Sequence, residues 1–162
     1  MMNREGQILR PSDTRETAEI IQTALAEKKP IEVLGNGTKR GLGRPVDTLN
    51  SVSLSGISGI TLYQPEELVV TAGAGTSFKE IRERLQSKCQ HLAFEPPDWG
   101  PIFGEEPDTQ TIGGIIATNL SGSRRIQSGA ARDHLLGAEM VTGRGEIVRT
   151  GGRVVKNVTG YD

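Results

Sequence analysis

Cysteine is almost absent from this chain. Cys89 stands alone among 162 residues, so no internal disulfide and no cysteine-based metal cluster can form. Aromatic residues are scarce at 4%, which keeps the core modest. No apolar run approaches the ~20 residues that a membrane-spanning helix needs. The opening MMNREGQILRPSD lacks the apolar centre of a signal peptide. Charge of neither sign dominates: 19 basic and 20 acidic residues leave a net charge of −1. That balance offers no footprint for nucleic acid or for an anionic membrane. These absences point to a cytoplasmic protein, or to one held at a membrane only through partner subunits. The length suffices for one domain or two small lobes.

Glycine is what the chain has in excess. There are 21 in 162 residues, about 13% against a usual ~7%. They gather at loops between apolar runs, which implies loops shaped for close backbone approach.

The periodicity predicts an α+β chain in two lobes. Residues 13–28 read as a helix with Asp13 as N-cap, Glu16 completing a capping box, and Ala18, Ile21 and Leu25 on one stripe. Lys28 and Lys29 suit its C-terminal end and Pro30 stops it. Residues 31–34 form a strand, and a second short strand lies within 46–57. This small β-α-β lobe spans 1–58. The second lobe, 59–162, is expected to hold a mostly antiparallel sheet with helices. Two strands in 59–75 join at Pro65, Glu66 and Glu67. Residues 77–88 are a helix with Ser77 as N-cap and Phe78, Ile81 and Leu85 on its apolar face. The Pro/Gly-rich stretch 94–108 reads as a loop without regular structure. Residues 111–122 open a short helix on a double glycine, and 134–150 form a hairpin turning at Gly143, Arg144 and Gly145.

The stretch EVLGNGTKRGLG, residues 32–43, invites comparison with phosphate-binding loops. The order Gly37, Thr38, Lys39 does not match the Walker spacing. A dinucleotide fingerprint needs a helix directly after the glycines, whereas Arg44, Pro45, Val46 and Asp47 follow here. A third reading is a nest, in which the N–H groups of Gly35, Asn36, Gly37, Thr38 and Lys39 curl around one phosphate. Thr38 would add a hydroxyl and Lys39 or Arg40 a charge. An ordinary glycine-rich turn is the plain alternative. The second cluster, TQTIGGIIATNLSG at 109–122, has the same two faces. Gly113 and Gly114 would let a ring or diphosphate come close at a helix start with unpaired N–H groups. Close helix packing would demand the same small residues.

The ordered set GNGTK, PEELVVTAGAGTSFKEIRERL, EPPD, TIGGIIATNLSGSRR and SGAARDHLLGAEMVTGRGEIVRTGGRVVKNVTGYD resembles the vanillyl-alcohol-oxidase-like family, whose FAD-binding domains are of the PCMH type. The resemblance runs from about residue 12 to 162 and is strongest to the glycolate-oxidase branch. It implies that Gly35, Asn36, Gly37, Thr38 and Lys39 hold the FAD pyrophosphate. It places Thr111, Ile112, Gly113 and Gly114 near the diphosphate and flavin. Ala117, Thr118, Asn119, Ser121 and Gly122 would also line the cofactor, Pro97 and Asp98 would stand beside the flavin, and Ile147 would meet the adenine. Cys89, His91 and His134 are outside the motifs that link flavin covalently in relatives, which implies non-covalent FAD. The turn DWGPIFGEEPD, inserted between EPPD and TIGG, departs from the family pattern.

The resemblance further implies an oxidoreductase that takes hydride from a small 2-hydroxy acid such as glycolate, working with other subunits of a glycolate-oxidase-like complex. A scaffold or electron-relay subunit of such a complex is the alternative. In the family, NVTGYD runs on into a helix, a closing turn and strand, and then a substrate domain. The chain is thus expected to be an N-terminal fragment, inactive alone, with Asp162 reading as the N-cap of the next helix. His134, beside Arg132 and Asp133, reads as a strand-entry residue rather than a relay, and His91 as a helix-end residue. Arg124 and Arg125 read either as phosphate or partner contacts or as a solvated turn.

Overall fold

The structure, a computed structural model, describes residues 6–44, 48 and 50–152. The expectation for Asp162, and most of GGRVVKNVTGYD, lies outside these residues.

The chain opens with strand β1 (Gln7–Leu9), helix α1 (Thr14–Ala26), strand β2 (Ile31–Leu34) and strand β3 (Asn50–Ser53). The three strands form a parallel sheet in the order β1-β3-β2. Ile8 lies opposite Ser51, and Val33 opposite Val52. As the central strand, β3 is covered on both faces: Ser51, Val52 and Ser53 are all buried. Asp13 caps α1 by accepting the Glu16 N–H at 2.8 Å. The expected capping box closes one residue earlier than predicted, because the Glu16 carboxylate accepts from Ser12 N at 2.7 Å and Ser12 Oγ at 3.0 Å. The apolar stripe is only partly used: Ala18 is buried, while Leu25 stays 57% exposed.

Strands β4 (Ile60–Gln64) and β5 (Val69–Ala72) pair antiparallel around a 3-10 turn, Pro65–Glu67. Helix α2 (Phe78–Gln86) follows, with the Ser77 hydroxyl accepting from Glu80 N at 3.1 Å. Phe78, Ile81 and Leu85 are its buried face, as predicted. Helix α3 (Ile112–Ala117) brings Ile115 into the core beside Phe78, Phe94 and Ala131. Phe78 and Phe94 stack with ring centroids 6.3 Å apart. The short helix α4 (Arg125–Ser128) and a 3-10 turn at Ala131–His134 lead into the hairpin of β6 (Gly137–Val141) and β7 (Ile147–Gly151).

Two expectations change here. The loop 94–108 contains a 3-10 turn, Gly100–Phe103, set by Pro101 early in the turn and ended by Gly104 at φ 82°. Among the described residues, the antiparallel strands after residue 58 are two separate hairpins and not one sheet. The β6–β7 hairpin lies instead against α1. The Gln22 side-chain amide donates to Gly145 O at 3.0 Å. Gly145, at φ 74°, comes so close that a Cβ there would stand 2.9 Å from Ala18 O. No helix among the described residues is long and apolar enough to cross a membrane. None of their His, Cys, Asp and Glu side chains form a group that could hold a metal ion.

Candidate functional site

The glycine loop leaves β2 and turns at once. Gly37 takes φ 80°, a conformation that costs glycine little. Arg40 N donates to Gly37 O at 2.9 Å and Leu42 N to Lys39 O at 3.0 Å. Among the described residues, the N–H groups of Asn36, Gly37, Thr38 and Lys39 donate to no protein acceptor. They are the open donors that a nest requires. Thr38 is buried, and Asn36 fastens the loop through its side-chain amide on Thr109 O at 2.8 Å. Gly35 O accepts from Ser53 Oγ at 2.8 Å, which ties the loop to β3. A cleft of about 330 Å³ opens beside residues 35–37, with Arg10, Arg40, Ser55 and Glu105 on its walls.

The second glycine cluster meets the first directly. A Cβ on Gly35 would overlap Thr111 Oγ1, so the loop backbone rests on the cap residue of α3. Lys39 Nζ lies 3.8 Å from the place a Cβ on Gly114 would take. Segments some seventy residues apart in sequence thus close on one point.

The start of α3 is not open, contrary to the expectation of unpaired N–H groups. Ile112 N donates to Thr76 O and Gly113 N to Ala74 O, both at 2.9 Å. Gly114 N reaches Thr111 Oγ1 at 3.3 Å, and Ile115 N reaches Thr111 O at 3.1 Å. Gly113 is glycine for packing, since a Cβ would sit 2.7 Å from Ala74 O. The side of Gly114 that faces Lys39 is bounded by Thr111 Oγ1, 3.3 Å from the position a Cβ would take.

The remaining predicted residues divide into two groups. The negative charge of Asp98 favours the protonated form of Lys39. The Asp98 carboxylate also accepts from Gly100 N at 3.1 Å and from Asp108 N at 2.6 Å, closing loop 98–108 on itself. Pro97 precedes it, and within that loop Phe103 packs on Gly41, whose Cβ would overlap the ring. The 117–122 segment is occupied with its own architecture. Thr118 Oγ1 donates to Gly114 O at 2.7 Å. Ser121 Oγ donates to Asn119 O at 2.8 Å and accepts from Ala131 N at 2.9 Å. Asn119 Oδ1 accepts from Arg132 N at 3.0 Å, and Gly122, at φ 83°, abuts Glu95 O. Ala117 closes α3. Ile147 pairs with Val141 in the hairpin on α1 and stays 45% exposed; no described hydrogen bond ties it to the glycine loops.

His134 Nε2 donates to Ser128 O at 2.8 Å and the ring tilts against Phe94, a structural setting. Cys89 is exposed. Arg124 pairs with Glu95 at the surface, 3.0 Å apart.

Electrostatics separate the two basic residues of the loop. The Arg40 guanidinium grips Glu32 at 3.0 and 2.8 Å, and Glu32 also accepts from Ser51 Oγ at 3.0 Å. Among the described residues, the Lys39 ammonium makes no hydrogen bond or ion pair. Partial burial lowers its pKa from the usual 10.5, and the negative charge of Asp98 works against that shift. The sequence reading left Lys39 and Arg40 equivalent, because the Glu32–Arg40 spacing of eight has no helical or strand signature.

FAD fits this arrangement by two observations: four backbone donors stand open, and the face of Gly114 beneath Lys39 Nζ carries no Cβ. The family model described as FAD binding domain matches residues 6–151. The chain is 42% identical to glycolate oxidase subunit GlcE of Escherichia coli over 144 residues, covering 89% of this chain and 39% of that protein. It is 31% identical to a D-lactate dehydrogenase of Archaeoglobus fulgidus, covering 95% of this chain and 33% of that enzyme. The chain thus spans about two fifths or less of these relatives. Among solved structures, the glucose dehydrogenase Phl p 4.0202 superposes with a TM-score of 0.69 at 17% identity, over 88% of this chain and 28% of its own. An alkyldihydroxyacetonephosphate synthase does so with a TM-score of 0.65 at 18% identity, over 90% and 27%. The fold is therefore the α+β, PCMH-type fold shared with those structures, and the chain belongs to the FAD-binding domain family.

Proposed function

We propose that this chain grips FAD without a covalent bond, as the cofactor lobe of an oxidoreductase subunit acting on a small 2-hydroxy acid of the glycolate type. The observation that carries the reading is the meeting of two glycine segments, one of them with open N–H groups at 36–39: Gly35 rests on Thr111, and Lys39 Nζ lies 3.8 Å from the Cβ position of Gly114. Residues 35–39 bind the pyrophosphate through the backbone. Thr111, Ile112, Gly113 and Gly114 set the opposite wall, and Gly114 leaves room for the diphosphate. Pro97 and Asp98 border the flavin, residues 117–122 hold that wall in place, and Ile147 meets the adenine if the hairpin reaches it. Bound flavin supplies the two-electron chemistry, and the protein supplies its position and electrostatics. The division at residue 58 separates the lobe that carries the loop from the lobe that carries the wall.

The substrate class rests on the relatives' names, a glycolate oxidase subunit and a D-lactate dehydrogenase, both of 2-hydroxy acids. Other subunits of a glycolate-oxidase-like complex are the expected partners, with the assembly in the cytoplasm or tethered to a membrane through them. Titration with FAD tests the cofactor reading. A shifted visible spectrum and a raised unfolding temperature are expected, with about 2.7 kcal/mol of stabilisation at a hundredfold excess over Kd. Acid precipitation should release all the flavin to the supernatant; flavin left on the pellet would contradict the non-covalent reading. In the longer protein, anaerobic glycolate or D-lactate should bleach the flavin absorbance, and no bleaching with either would overturn the substrate class.

A further inference from the structure

Two basic residues sit side by side in the glycine loop, and the structure treats them differently. Arg40 is spent. Its guanidinium holds both oxygens of Glu32, which is itself bonded to Ser51 on the central strand. That pair latches the loop to the sheet and leaves Arg40 little charge to offer. Lys39 is the opposite case. Its Nζ reaches across the seam to within 3.8 Å of the Cβ position of Gly114 and makes no hydrogen bond or ion pair among the described residues. A partly buried ammonium without a partner is costly, so its place calls for an anion.

We propose that Lys39, and not Arg40, is the cation of the glycine loop that meets the FAD diphosphate, at the seam where Lys39 Nζ approaches Gly114. The inference rests on the FAD reading above and deepens it.

The test uses the intact protein, FAD as the probe, and the variants K39M, K39R and R40Q. Each is read by absorbance titration for Kd and by the unfolding temperature without FAD. K39M should raise Kd roughly tenfold or more, the usual weight of a charge-assisted contact. K39R should recover most of that loss. R40Q should lower the unfolding temperature of the FAD-free protein and raise Kd less than K39M does. K39M binding as tightly as wild type would overturn the proposal, as would R40Q costing more affinity than K39M at an unchanged unfolding temperature. A wild-type protein that binds no FAD would instead overturn the functional reading itself, so the two failures are distinguishable.

Discussion

Folding makes the charge on Lys39 expensive. Burial lowers its pKa from 10.5, and Asp98 restores part of the loss. Its neighbour in sequence, Arg40, is bound to Glu32. The unfolded chain holds the lysine proton more tightly than the FAD-free folded chain does. Stability without FAD therefore rises with pH between the lowered value and 10.5, and is flat on either side of that window. A diphosphate beside the ammonium favours the protonated form, so FAD binding takes up a proton. FAD affinity should fall as pH climbs through the lowered value, and K39M should flatten that fall. Calorimetry in buffers of different ionisation enthalpy reads the proton directly; no buffer dependence on the alkaline side would contradict the argument. Gly35 gives a second residue-scale prediction. Alanine there would strike Thr111 and part the two glycine segments. G35A should cost about 1–3 kcal/mol in urea unfolding and weaken FAD binding with it. G143A, whose added Cβ meets nothing within 4 Å, should change stability by less than ~0.5 kcal/mol.

At the scale of elements, stability comes from local features that a single turn of chain can specify. The D13A variant removes the α1 cap and should cost about 1 kcal/mol. I81A empties a position only 1% exposed in the α2 face and should cost about 2–5 kcal/mol. Denaturant titration of both variants checks the order of the two effects. Both helices were readable in the sequence for the same reason: cap and stripe lie within a few residues of each other. Strand β1 was not readable. Its three residues are a strand because Asn50, Ser51 and Val52 lie beside them, some forty positions later. The glycines were half readable. Their clustering signals close approach, but nothing local says that Gly113 approaches Ala74 or that Gly35 approaches Thr111. The open donors of 36–39 followed from the loop's own sequence. The closed start of α3 did not, because its acceptors, Ala74 and Thr76, belong to a different turn.

The whole molecule is tied together by contacts between distant parts of the chain. The β6–β7 hairpin rests on α1 through Gln22 and Gly145, although the sequence assigns it to the later lobe. Removing that amide should loosen the hairpin selectively. In Q22A, amide protection in β6 and β7 should drop by about 0.5–1.5 kcal/mol while β4 and β5 keep theirs, as read by native-state hydrogen exchange. Equal loss in both hairpins would mean that the molecule opens as one unit. FAD should raise protection most around residues 35–39 and 111–114, where the two segments meet.

The Gln22–Gly145 bond spans 123 residues, and that distance has a meaning during synthesis. A ribosome adds roughly 5–20 residues per second, so α1 emerges on the order of ten seconds before the turn that covers its Gln22 face. Throughout that interval the first helix of the nascent chain waits with one side bare, open to chaperones before its own hairpin arrives.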